Sequence, residues 1–174
     1  MRAVCKLLTN SLFGDKDMKP KLYLETTIPS YLVTSPSRDL IVAAHQQITN
    51  EWWAIKKDNF AIYISQFVFD ESSAGDSQLA AERIKIISKF PKLEITNNVK
   101  LLAAALLNSK AIPQKAAIDA AHVAIAAVHG MDFLMTWNCA HIANAFMSQT
   151  IQSICVKNGY NCPVICTPEE LMGE

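Results

Sequence analysis

The stretch PQKAAIDAAHVAIAAVHGMDFLMTWN, residues 113–138, changes period halfway along. Pro113–His129 is rich in alanine and meets no breaker until Gly130, the residue type that most easily takes the left-handed turn closing a helix. Beyond it, Phe133–Trp137 is short, apolar and bounded by polar residues, which reads as a strand. A helix feeding directly into a strand of this kind is the repeating unit of sheets with parallel strands and helical cover.

Outward from this unit the same alternation recurs. Lys21–Glu25 (KLYLE), Ala61–Ser65 (AIYIS), Leu93–Thr96 (LEIT) and Pro163–Thr167 (PVICT) read as strands. Arg38–Lys57 carries apolar residues at helical spacing after Ser37 as N-cap. Asp76 caps a helix running to Lys89, and Asn97 caps Val99–Asn108. Thr167-Pro168-Glu169-Glu170 is a capping box with proline at the first helical position, predicting a short last helix over Glu169–Met172. The expected fold is α/β, a three-layer α/β/α sandwich around a central, mostly parallel sheet. Residues 1–17 carry no such pattern and read as a disordered tail, leaving residues 18–174 as a single domain.

Composition narrows the function. The chain has 174 residues, 51% hydrophobic and 18% charged, enough apolar material for one well-packed core. Sixteen basic residues balance sixteen acidic ones, which argues against a nucleic-acid binder held by bulk charge. The most apolar segment, Ala116–Val128, is interrupted by Asp119 and His122 and falls short of the roughly 20 residues a membrane span needs. No secretory h-region opens the chain, so the cytoplasm is the expected location. The five cysteines contain no C-x-x-C and read as free thiols. Cys162 and Cys166 lie four apart on one expected strand, ~13 Å by strand rise, too far to share a zinc ion. The glycines form neither a P-loop nor a dinucleotide fingerprint, and there is no nucleophile elbow. An aspartyl-phosphate enzyme would need Asp where Glu25 stands.

In open parallel sheets ligands bind beyond the carboxyl ends of the strands, so the polar residues there carry the functional argument. Glu25 ends the first strand, Ser65 the second, and Asp70 and Glu71 follow Ser65 on a helix. Asn138 ends the strand at Phe133–Trp137, and Asp119 opens the helix that feeds it. Oxygen ligands of this kind, on rigid elements, suit Mg²⁺ or Mn²⁺. The competing reading makes them exposed strand-end residues and a first-turn carboxylate stabilised by the helix dipole.

The motif Leu22-Tyr23-Leu24-Glu25-Thr26-Thr27 resembles the first-strand motif of PIN-domain ribonucleases. Asp119-Ala120-Ala121-His122-Val123-Ala124-Ile125-Ala126 resembles the helix bearing that family's third acid, and Leu134-Met135-Thr136-Trp137-Asn138-Cys139-Ala140-His141 its strand end. The resemblance implies Mg²⁺- or Mn²⁺-dependent hydrolysis of RNA phosphodiesters, often by the toxin of a toxin–antitoxin pair. It implies that Glu25, Glu71 and Asp119 hold the metal, that Asn138 fills the fourth corner, and that Thr27 orients Glu25 or a metal-bound water. Glu25 and Asn138 stand where the family more often has Asp, so a weakened site is expected. The alternative is a catalytically impaired module that acts by binding RNA or protein.

His122, three residues after Asp119 on one helix face, is a candidate partner for that carboxylate. His141 is a candidate to face the phosphate or to cap the next helix. His45 and His129 read as structural. Trp52 and Trp53 are candidates to stack on bases, and Arg38, Lys56, Lys57, Arg83, Lys85 and Lys89 to form a rim tracking phosphates. Trp52, Trp53 and Phe146-Met147 would be the anchors of a homodimer, and an antitoxin protein the other expected partner.

Overall fold

The computed structural model of the protein describes residues 19–173, so the tail expected at 1–17 lies outside the described residues. Its sheet has five strands, β1 (Lys21–Leu24), β2 (Ala61–Ser65), β3 (Lys92–Leu93), β4 (Phe133–Met135) and β5 (Val164–Cys166), in the order β3-β2-β1-β4-β5. Every pairing is parallel, as the alternation predicts. The helices are α1 (Thr27–Val33), α2 (Leu40–Ile55), α3 (Gln66–Ser72), α4 (Ser77–Ile87), α5 (Asn97–Asn108), α6 (Ala117–Val128) and α7 (Ala145–Lys157).

The strand order explains the layers. From β1 the chain steps outward to β2 and β3, then returns past β1 to β4 and β5. With right-handed crossovers, a reversal of direction moves the connecting helices to the other face of the sheet. The helix contacts divide accordingly: α1 with α2 and α4, α3 with α4, and separately α5 with α6 and α7. The result is the three-layer α/β sandwich.

The helix at 113–129 starts with a 3-10 turn, Gln114–Ala116, and becomes α-helical at Ala117. Every residue from Ala120 to Ala127 is buried, since alanine lets the helix sit close between α5 and the sheet. Gly130 closes it in the left-handed region, at φ 62°.

Several helix starts fall one or two residues from the expected caps. Asp39, not Ser37, caps α2, taking the N–H groups of Ile41 and Val42 at 2.9 and 3.1 Å. Ser37 instead accepts from the Asp39 N–H. Thr96 rather than Asn97 caps α5, and this removes Thr96 from the expected strand, which shrinks to Lys92–Leu93. Asp76 caps α4 as expected. The Thr167–Glu170 capping box forms, at 2.8 and 3.3 Å, but only turns follow it. The sequence pattern does not single out α1 or α7.

Of the two tryptophans weighed as base-stacking or dimer residues, one is interior and the other half-buried. Trp52 is fully buried against Phe60, and Trp53 is half-buried at the edge of Phe90 under the Lys89 ammonium. Trp52 is therefore not free to stack on a base or anchor a dimer. Of the expected dimer anchors only Phe146, 98% exposed, stands out in solvent. Arg83, expected on a phosphate rim, is 8% exposed and donates from Nε to Ser72 O at 2.9 Å and from Nη2 to Ala74 O at 2.6 Å. It ties α4 to the carboxyl end of α3, where no further helical N–H groups are available. Arg83→Met is expected to cost about 2–3 kcal/mol, the worth of hydrogen bonds from a charged donor to one buried and one part-buried carbonyl. An unchanged denaturation midpoint would rule out that role.

Candidate functional site

β1 meets β2 on one side and β4 on the other, and the chain winds outward in opposite directions from these two neighbours, to β3 and to β5. The crevice beyond the carboxyl ends of β1 and β4 is therefore the topological switch point of the sheet. Glu25 follows β1 directly, and Thr136, Trp137 and Asn138 follow β4. Glu71 reaches the crevice from α3, and Asp119 and His122 reach it from the first turns of α6.

Glu25 is 5% exposed, and one of its carboxylate oxygens is fully engaged. Oε2 accepts from the Thr27 N–H at 3.0 Å, the Thr27 hydroxyl at 2.6 Å and the Thr136 hydroxyl at 2.7 Å. Thr27 is itself fixed by accepting from the Trp137 N–H at 2.9 Å. Thr27 thus orients Glu25, as one of its two expected roles required. Among the described residues nothing donates to Glu25 Oε1. A buried carboxylate with one oxygen pinned and the other free is prepared for a cation.

Glu71 and His122 form the second part. His122 Nε2 lies 3.1 Å from Glu71 Oε2, to which the Thr26 hydroxyl also donates at 2.5 Å. His122 Nδ1 meets the Tyr23 hydroxyl at 2.7 Å, and that hydroxyl meets Ser65 Oγ at 2.7 Å. One proton arrangement satisfies the chain as it stands: Ser65 donates to Tyr23, Tyr23 to Nδ1, and Nε2–H to Glu71. Burial pushes the Tyr23 phenol far above its ordinary range and keeps it a neutral hydroxyl. The partnership expected between His122 and Asp119 does not form, because His122 turns to β1 and α3 instead.

Burial by itself would raise the Glu71 carboxyl. The hydrogen bonds from His122 and Thr26 outweigh it and hold that carboxyl below its ordinary value of 4.5. A depressed folded value means stability that is full above pH 4.5 and is lost as pH falls through the folded value. Glu71→Gln should therefore flatten the acid side of the stability profile. Denaturation midpoints measured between neutrality and strong acid would show it, and an unchanged acid slope would contradict it.

Atoms of Glu25, Glu71 and His122 lie within 4.8 Å of one another, and this trio could hold a metal ion. No other such group of His, Cys, Asp and Glu occurs among the described residues. Asp119, expected among the ligands, is outside it. Its Oδ2 lies 2.9 Å from His141 Nδ1. Asn138, expected at the fourth corner, uses Oδ1 to accept from the His141 N–H at 3.1 Å, and its own N–H goes to the Thr136 hydroxyl at 2.8 Å. Its side chain thus shapes the turn carrying His141. His45 stacks on Trp137 at 3.9 Å, and His129 bonds the Glu94 carbonyl, both structural as expected.

Sequence reasoning passed over Tyr23, Thr26 and Thr136. Strand alternation held a signal for two of them. Tyr23 shares a face with Glu25, and Thr136 with Leu134, so a polar group on an otherwise apolar strand face pointed inward.

Fold and geometry together define a parallel α/β protein with two carboxylates and one imidazole gathered at its switch point. Comparison with models of known protein families, with curated proteins and with solved structures finds no match. Among the described residues no helix is long and apolar enough to cross a membrane.

Proposed function

We propose that the protein is a divalent-metal-dependent hydrolase of RNA phosphodiesters, with the metal held by Glu25, Glu71 and His122. The observation that carries the reading is the gathering of buried Glu25 with Glu71 and His122 at the switch point, their ligand atoms within 4.8 Å of one another. The resemblance of residues 22–27, 119–126 and 134–141 to PIN-domain ribonucleases supports RNA as the substrate. Two of the three donors have the spacing of neighbouring ligands on such an ion. Adjacent ligands of an octahedral cation at ~2.1 Å bond lengths are separated by about 3.0 Å, and His122 Nε2 and Glu71 Oε2 lie 3.1 Å apart.

A bound Mg²⁺ or Mn²⁺ would supply positive charge against the phosphate and lower the pKa of a coordinated water. The protein's own groups do the rest. Thr27 and Thr136 keep the Glu25 carboxylate from rotating, Thr26 does so for Glu71, and Tyr23 sets the plane of the His122 ring. For His122 to offer a lone pair from Nε2, its proton must sit on Nδ1. The chain allows this by reversing, with Nδ1–H donating to Tyr23 and Tyr23 to Ser65.

An imidazole ligand favours Mn²⁺ over Mg²⁺. Incubating single-stranded RNA with the protein under each metal should give more cleavage with Mn²⁺ and none with EDTA. RNA left intact under both metals would overturn the reading. Cleavage that survives EDTA would mark a contaminant. An antitoxin partner belongs to the same proposal through the family resemblance, and a cytoplasmic setting and a homodimer using exposed Phe146 are proposed beside it.

A further inference from the structure

Asp119 and His141 form a unit that the metal trio leaves unused. Asp119 stands in the first turn of α6 and His141 in the turn after β4, 22 residues apart in the chain, with 2.9 Å between Oδ2 and Nδ1. A carboxylate can only accept, so Nδ1 carries the proton and Nε2 presents its lone pair. Nothing among the described residues bonds to Nε2, and the His141 side chain is 27% exposed. A second hold fixes the backbone of the same residue, the His141 N–H donating to Asn138 Oδ1 at 3.1 Å.

The unit borders the trio along two routes. Asp119 and His122 are three apart on α6, so their Cβ atoms lie ~5–6 Å from each other on one face. Thr136 donates to Glu25 and accepts from the Asn138 N–H, and Asn138 then holds His141. An imidazole with one nitrogen oriented by a carboxylate and the other unbonded and partly exposed is the arrangement of a general base.

We infer that His141 is the general base of the hydrolysis and Asp119 its positioning residue, so that Asp119 serves proton transfer and not metal binding. This rests on the hydrolase reading above. In the step, His141 Nε2 takes a proton from the attacking water as its oxygen bonds to phosphorus. The bond from phosphorus to the leaving oxygen breaks, solvent protonates that oxygen, and His141 returns its proton to solvent.

The test uses the full chain, Mn²⁺ and an end-labelled single-stranded RNA, with His141→Ala, His141→Gln and Asp119→Asn beside wild type. His141→Ala and His141→Gln should lower kcat about 100-fold or more, the usual worth of a positioned base, with KM little changed. Added imidazole should restore part of the His141→Ala activity. Asp119→Asn should also lower kcat, while Mn²⁺ affinity by calorimetry and the melting temperature stay near wild type in all three. Wild-type activity retained within threefold by both His141 variants would overturn the inference and leave the hydrolase reading standing. So would failure of imidazole to rescue, or loss of Mn²⁺ binding in Asp119→Asn. An inactive wild type under every metal would sink both.

Discussion

Glu25→Gln is expected to abolish Mn²⁺ binding and RNA cleavage while the fold survives. The amide keeps a carbonyl oxygen where Oε2 now accepts from Thr27 and Thr136, so the donors around it stay satisfied. What disappears is the negative charge and, if the amide nitrogen takes the Oε1 position, the unbonded acceptor of Glu25. A cation that has lost one of two carboxylates loses most of its hold. Glu25→Ala should behave differently. It strands the Thr27 and Thr136 hydroxyls in a site that is 5% exposed, at about 1–3 kcal/mol for each donor left unpaired. The pair separates charge from scaffold: calorimetry should show no Mn²⁺ binding for either, and denaturation should show a large loss only for alanine. Mn²⁺ affinity retained by the glutamine variant would remove Glu25 from the ligands.

The second large effect is expected from Tyr23→Phe. The ring fills the same volume, so the core between β1 and its neighbours stays packed. The hydroxyl that joins Ser65 to His122 goes, and with it the partner that lets His122 change the nitrogen carrying its proton. Removing such an outer partner of a metal-binding histidine typically costs 10–100-fold in affinity or activity. Stability should fall by about 1–3 kcal/mol as well, because Nδ1 is left buried without a partner. Ser65→Ala removes only the far end of the chain and should show a smaller change in the same direction. Equal Mn²⁺ affinity in wild type and Tyr23→Phe would mean that His122 is not a ligand.

Both predictions turn on residues that the sequence exposes unequally. Glu25 was legible because it ends an apolar strand, where a carboxylate has no packing reason to be. Glu71 was legible only beside Asp70 on the helix after Ser65, and the resemblance to PIN-domain ribonucleases is what singled out Glu71 and Thr27. His122 drew attention only as a neighbour of Asp119, since i and i+3 share a face and the sequence says nothing of what lies across from them. Arg83 looked like a surface cation on an amphipathic helix. Only the return of α3 against α4 shows that it spends its charge on the carbonyls of Ser72 and Ala74.

The sequence by itself determined the alternation of strands and helices, the parallel sheet, the helix stop at Gly130 and the edge at which polar residues collect. These follow from local conformational preference and from the period of the apolar residues, both of which act over a few neighbours along the chain. Tertiary structure alone decided the partners. Tyr23 is separated from His122 by 99 positions, Thr136 from Glu25 by 111, and His141 from Asp119 by 22. A hydrogen bond has a reach of about 3 Å and a narrow cone of direction. Whether His122 turned to Asp119 or to Glu71, and Asp119 to a cation or to His141, was therefore fixed by the placement of α6 against β1 and the turn after β4.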